Sequence, residues 1–261
     1  MKQKRNRIAL AVATAMMLSM PLAHAVEFTD PKGDDNGPGT YTYPTDAVYK
    51  PGSFDLTKLT VTRNGSNVDF AVEQNSRLED PWGMGVGFSV QMIFVFVKNK
   101  EGGHTDVPPG LNVQFAPGHE WNKLIILSPQ QKGRVLGEVS TKAASLASDI
   151  LVPNSTRGSN RTIKGSVPLA DLGGDGNVDH WAYQVIMQSN EGFPDADSLL
   201  ARKVNEYEGQ HRWGGGNDGN CDPHVMDVLE SAEFPQKMQL AYECGPNGES
   251  VKKATLRMFK K

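Results

Sequence analysis

Apolar and polar residues alternate with period two through residues 68–73 (VDFAVE), which predicts a strand with one buried and one wet face. Residues 87–97 (GFSVQMIFVFV) become apolar on both alternations towards their end, which predicts a central strand covered on both sides. Alternation returns at 111–115, and strand patterns follow at 121–127, 162–169, 181–188 and 238–242. Clusters of Gly, Pro, Asn and Asp punctuate them. Short helices are predicted around 143–148 and 198–203, and neither has the apolar stripe to form a core alone. The pattern predicts one all-β domain, a single antiparallel β-sandwich with long Gly/Pro/Asp-rich loops, over residues 26–261.

The first 25 residues read as a processing segment. Lys2, Lys4, Arg5 and Arg7 precede an apolar run, and Ala23 and Ala25 stand where a signal peptidase reads small side chains. The expectation is a protein exported to the periplasm or beyond and cut after Ala25, with no cysteine at the cut for a lipid. No later stretch has the apolar length of a membrane helix.

Removing that segment changes the charge. The chain has 27 Lys+Arg against 30 Asp+Glu, and the segment holds four of the bases and no acid, which leaves a net charge near −7. An acidic surface repels phosphate backbones, so nucleic acid is not an expected partner. Export makes a disulfide the expected state of the two cysteines, Cys221 and Cys244.

The opening stretch after the cut, residues 28–44 (FTDPKGDDNGPGTYTYP), carries the first candidate chemistry. Asp30, Asp34 and Asp35 stand in a glycine-broken loop, and Asp55 follows in the next segment. Calcium takes six to eight oxygen ligands, often clustered carboxylates. Glycine lets backbone carbonyls turn inward. A cation site and a plain acidic turn both fit these residues. A second acidic segment, Asp171 to Asp179, reads as a tight Gly/Asp/Asn turn. The triplet Gly214-Gly215-Gly216 lacks the Lys-Ser/Thr end of a phosphate loop.

Neither a nucleophile elbow nor a zinc-protease helix motif occurs, and the histidines are scattered. The chain is therefore expected not to be an enzyme. Exposed aromatics remain as candidates for stacking on sugar rings. Trp82 and Trp121, beside Gly/Pro-rich loops, and Trp213, beside the glycine triplet, are the candidate sugar-binding residues, whereas Trp181 reads as core.

Several blocks occur in a recognisable order: DPKGDDNGPGTYTYP, PGSFDL, PWGMGVGFSVQMI, WAYQVIMQSNEGF and RWGGGNDGNCDPHVMDVL. Together they resemble the C-terminal domain of glucodextranase, part of a wider DOMON-like, carbohydrate-binding family 9-like group of β-sandwiches. The resemblance implies a module that binds an α-glucan or envelope glycan without cleaving it. Structural calcium in related modules implies Asp30, Asp34, Asp35 and Asp55 as ligands. Such domains accompany hydrolases, which implies a separate hydrolase or an envelope protein as partner. The group also includes b-haem electron carriers, and Met92, Met187 and the histidines are the residues such an alternative would use. A third reading is an envelope docking protein. The sequence departs from the pattern in having Trp213 where Phe is expected, in carrying no catalytic domain, and in its cysteine pair.

Overall fold

A computed structural model describes residues 25–217 and 221–261. The predicted signal segment lies outside them except for Ala25. Two five-stranded sheets form the frame. The first has the order β1–β2–β3–β9–β8, from β1 (Ala25–Thr29), β2 (Leu56–Asn64), β3 (Asn67–Gln74), β8 (Thr156–Ser159) and β9 (Thr162–Pro168). The second has the order β11–β10–β4–β6–β7, from β4 (Gln91–Lys98), β6 (Lys123–Leu127), β7 (Ile150–Leu151), β10 (Ala182–Ser189) and β11 (Asp227–Val228). All pairings in these sheets are antiparallel except β6 with β7. Elsewhere β5 (Val113–Phe115) pairs in parallel with β14 (Ala254–Leu256), and β12 (Glu243–Cys244) pairs with β13 (Ser250–Lys252). The fold is all-β, as predicted.

The strand patterns account for the layers. β3 turns Val68, Phe70 and Val72 inward and leaves Asp69, Ala71 and Glu73 outward. Its inward side chains meet Ile93, Val95 and Val97 of β4 between the sheets. The other face of β4 carries Met92, Phe94 and Phe96, which pack under a third layer of loops and helix with Phe115, Trp121, Val135 and Val139. This double coverage is why residues 91–97 are fully buried, and why the period-two signal fades there.

Two expectations about elements need correction. Residues 238–242 are not a strand: Met238 and Gln239 end a one-turn helix, α3 (Gln236–Gln239; the earlier helices are α1, Lys132–Lys142, and α2, Leu169–Leu172), and a turn and irregular backbone follow. Gln236 and Gln239 spend their side chains on backbone partners, among them Val228 N–H and the Leu229 carbonyl. Residues 198–203 form no helix, because Leu200 takes a left-handed φ of 54° and Ala201 bridges Asn190. The short helix expected around 143–148 is present as a 3-10 helix, Ala144–Asp149, that follows α1.

Cys221 and Cys244 are joined by a disulfide, with Cα atoms 5.4 Å apart. It ties the β12–β13 hairpin to the segment that leads into β11. Among the described residues no helix is long and apolar enough to cross a membrane.

Candidate functional site

The opening loop runs from the end of β1 to the start of β2 and packs on one end of the sandwich. Asp30 closes β1, Asp34 lies in the loop, Asp55 stands just before β2, and Asp227 begins β11. One carboxylate oxygen from each of Asp30, Asp34 and Asp227 lies within 4.8 Å of the others. Asp55 is tied into the same loop, since Gly33 N–H donates to its Oδ2 at 2.8 Å and Asn75 Nδ2 donates at 2.9 Å. Glu230 N–H donates to Asp30 Oδ1 at 2.8 Å, and Leu56 N–H donates to Asp227 Oδ2 at 2.6 Å.

Each of these four carboxylates keeps a second oxygen that is buried and accepts no hydrogen bond: Asp30 Oδ2, Asp34 Oδ1, Asp55 Oδ1 and Asp227 Oδ1. The charged neighbours that weigh most on Asp30, Asp34 and Asp227 are other acids. Burial is the main cause that pushes the Asp30 carboxyl up to about 9 and Asp34 up to about 6, and neighbouring acids add to both. Burial likewise pushes Asp227 well above the carboxylate range, with Asp30 and Asp34 adding. Unpaired buried carboxylates are costly unless a cation or protons neutralise them. Hard oxygens without donors, clustered and turned inward, fit a calcium-sized divalent ion.

The sequence-based ligand set is thus partly brought together. Asp30 and Asp34 share the cluster and Asp55 adjoins it. Asp35 is diverted: its Oδ2 accepts from the Tyr43 hydroxyl, and burial raises its pKa. Asp227 was missed. It stands almost 200 residues after Asp30, and its one local signal was an acid between the apolar residues Val225, Met226, Val228 and Leu229.

Tyr43 carries the loop into a small aromatic core. Its ring lies 4.4 Å from Trp213 and 5.8 Å from Phe54, and Phe54 lies 6.4 Å from Tyr49. Trp213 is therefore fully buried, which corrects its assignment as a surface sugar platform. The adjoining glycines serve close packing: a Cβ on Gly215 would meet the Thr40 carbonyl oxygen at 2.1 Å. Trp121 needs the same correction. It is fully buried against Phe96, and its indole N–H donates to the Asp106 carbonyl at 2.8 Å. Met92 and Met187 point to opposite faces of the second sheet, into separate cores, so they cannot be paired axial ligands of one iron.

Trp82 is the candidate that stays exposed, at 37%. Its loop is fixed by Asp80, which accepts from Met84 N–H at 2.7 Å, from Gly85 N–H at 2.8 Å and from the Ser89 hydroxyl. Trp82 N–H itself donates to Ser89 Oγ at 3.2 Å. The indole meets Tyr49 edge to face at 6.2 Å between centroids.

Residues 25–258 match the family described as the C-terminal binding module, SLH-like, of glucodextranase. The chain belongs to this family. The match spans both sheets, the opening loop and Asp227. The family is described as a binding module. No curated protein matches the chain.

Proposed function

We propose that this protein is an exported, non-catalytic glycan-binding protein. In this reading residues 26–261 form one module, a calcium ion fixes its opening loop, and Trp82 is the platform for a sugar ring. The observation that carries the reading is Trp82 itself: a half-exposed indole on a loop already held by hydrogen bonds to one carboxylate. Sugar C–H faces pack on aromatic planes. A platform ordered before binding loses little conformational entropy when the ligand arrives.

Asp30, Asp34, Asp55 and Asp227 would hold the calcium, which would neutralise their charge and anchor β1, the opening loop and β11 to one another. Through Asp35–Tyr43, Trp213, Phe54 and Tyr49, packing runs unbroken from that loop to Trp82. The family name makes α-glucans the first ligands to try. Calorimetry with malto- and isomalto-oligosaccharides, in calcium and in chelator, tests the reading. We expect binding in calcium and weaker binding in chelator. Absence of heat with every glucan in both conditions would sink it.

A further inference from the structure

Beyond Trp82, the same end of the molecule offers a polar cleft of about 380 Å³. Its walls include Glu191, Asp195, Arg202, Gln210 and His211. Tyr49 joins the two features. Its ring lies 6.2 Å from Trp82 and 5.9 Å from His211, so those two rings are at most about 12 Å apart. The Arg202 guanidinium sits 5.9 Å from the centre of the same Tyr49 ring.

We propose that the glycan site extends from Trp82 across this step into the cleft, and that its ligand is a neutral oligosaccharide of two or more units. The inference rests on the carbohydrate reading above. One sugar ring stacks on Trp82, and the hydroxyls of the next meet the cleft.

Of the cleft's three strong bases two pair with its acids and the third, Arg212, lies 5.0 Å from the centre of the Tyr207 ring, which argues for a neutral chain. Arg202 pairs with Glu191 at 3.0 Å, and Lys203 pairs with Asp195 at 3.4 Å. An anionic glycan would have to compete with these carboxylates. Hydroxyls, which both donate and accept, can bond to either partner without breaking a pair. Much of the cleft is ordered in advance: Arg202 also donates to the His211 carbonyl at 2.6 Å, and Gln210 Nε2 donates to Asp46 Oδ2 at 3.2 Å. Three larger grooves lack the aromatic neighbour, and the largest, of about 570 Å³ beside Arg63, Leu169 and Asp175, has no Trp, Tyr or Phe in its walls. Of the other two, one, of about 530 Å³, lies between residues 106–113 and Lys142 and has no Trp, Tyr or Phe in its walls. The other, of about 550 Å³, covers the outer face of the first sheet, where the one aromatic, Phe70, is fully buried.

Calorimetry with malto- and isomalto-oligosaccharides of one to four units, in calcium, tests the proposal. A few added hydrogen bonds predict a gain of about tenfold from one unit to two, flattening by the third. The double variant Gln210→Ala/His211→Ala, with melting temperature as the check on folding, should bring the longer glycans down to the affinity of the single unit. Suppose instead that binding is lost in Trp82→Ala, yet affinity does not rise with length or the double variant changes nothing. The cleft is then not part of the site, and the carbohydrate reading survives. If no oligosaccharide of any length binds, both fall together.

Discussion

The middle of the sandwich and its opening-loop end are stabilised in opposite ways. Between and behind the sheets, Phe70, Phe94, Phe96, Trp121 and Ile126 are buried among apolar neighbours. At the loop end, Asp30, Asp55 and Asp227 are buried and Asp34 is half-buried, each with a buried, unpartnered oxygen. The first region gains stability by leaving water and needs nothing from solution. The second loses stability on leaving water unless protons or a cation arrive. Stability that depends on a divalent cation should therefore come from one end of the molecule.

The largest effect expected is in the apolar region, and it should ignore calcium. Trp121→Ala removes a fully buried indole packed on Phe96 and should cost about 3–5 kcal/mol, with the same loss in calcium and in chelator by denaturant titration. In contrast, calcium at about a hundredfold its dissociation constant should add about 2.7 kcal/mol to the unaltered protein. Asp227→Asn should remove that increment. Its amide oxygen can still accept from Leu56 N–H, so stability in chelator should be no lower than the parent's. A calcium increment that persists in this variant would remove Asp227 from the ligands.

Proton dependence separates the two regions next. Asp34 has a folded pKa of about 6 and Asp30 of about 9, both raised from 3.8. Between the ordinary and the raised value, the folded state keeps a proton that the unfolded state has released. By linkage, this stabilisation of the metal-free protein is full below about pH 4 and is lost as pH rises through 6 and then 9. Calcium needs the ligands deprotonated, so its increment should grow over the same range. Melting curves in calcium and in chelator should diverge as pH rises. Parallel curves would mean that the cluster binds no metal.

How much of this was legible in the sequence follows the same division. The sheets were readable where one face is wet, as at 68–73, or where apolar residues run on, as at 91–97. Alternation is a local property of the chain. Helix α1 was not, because Gly133 and Gly137 weaken its propensity and only Val135 and Val139 are buried. At 238–242 a short apolar pattern looked like a strand, while the local structure is set by Pro235 and the two glutamines. At the site, the aspartates of the opening loop announced themselves by composition. Asp227 did not, since the β10–β11 pairing that brings it to them is a contact distant in sequence. Trp121 and Trp213 misled because neighbouring glycines suggest open loops. At Trp213 the adjoining glycines in fact let backbone approach backbone, and at Trp121 the close approach is made by a glycine distant in sequence: a Cβ on Gly103 would meet the Trp121 carbonyl oxygen at 2.3 Å.

The smallest stability effect belongs to the residue expected to matter most for binding. Trp82 and Trp121 are the same side chain in opposite settings: Trp121 is enclosed, while Trp82 has one aromatic neighbour, Tyr49, and an open face. Trp82→Ala should change stability by no more than about 0.5 kcal/mol, as surface substitutions do. It should nevertheless lower glycan affinity by about tenfold or more. A loss of stability as large as that of Trp121→Ala would make Trp82 a packing residue of the loop end. The contrast between a region built for stability and a surface built for binding would then have to be drawn elsewhere on the molecule.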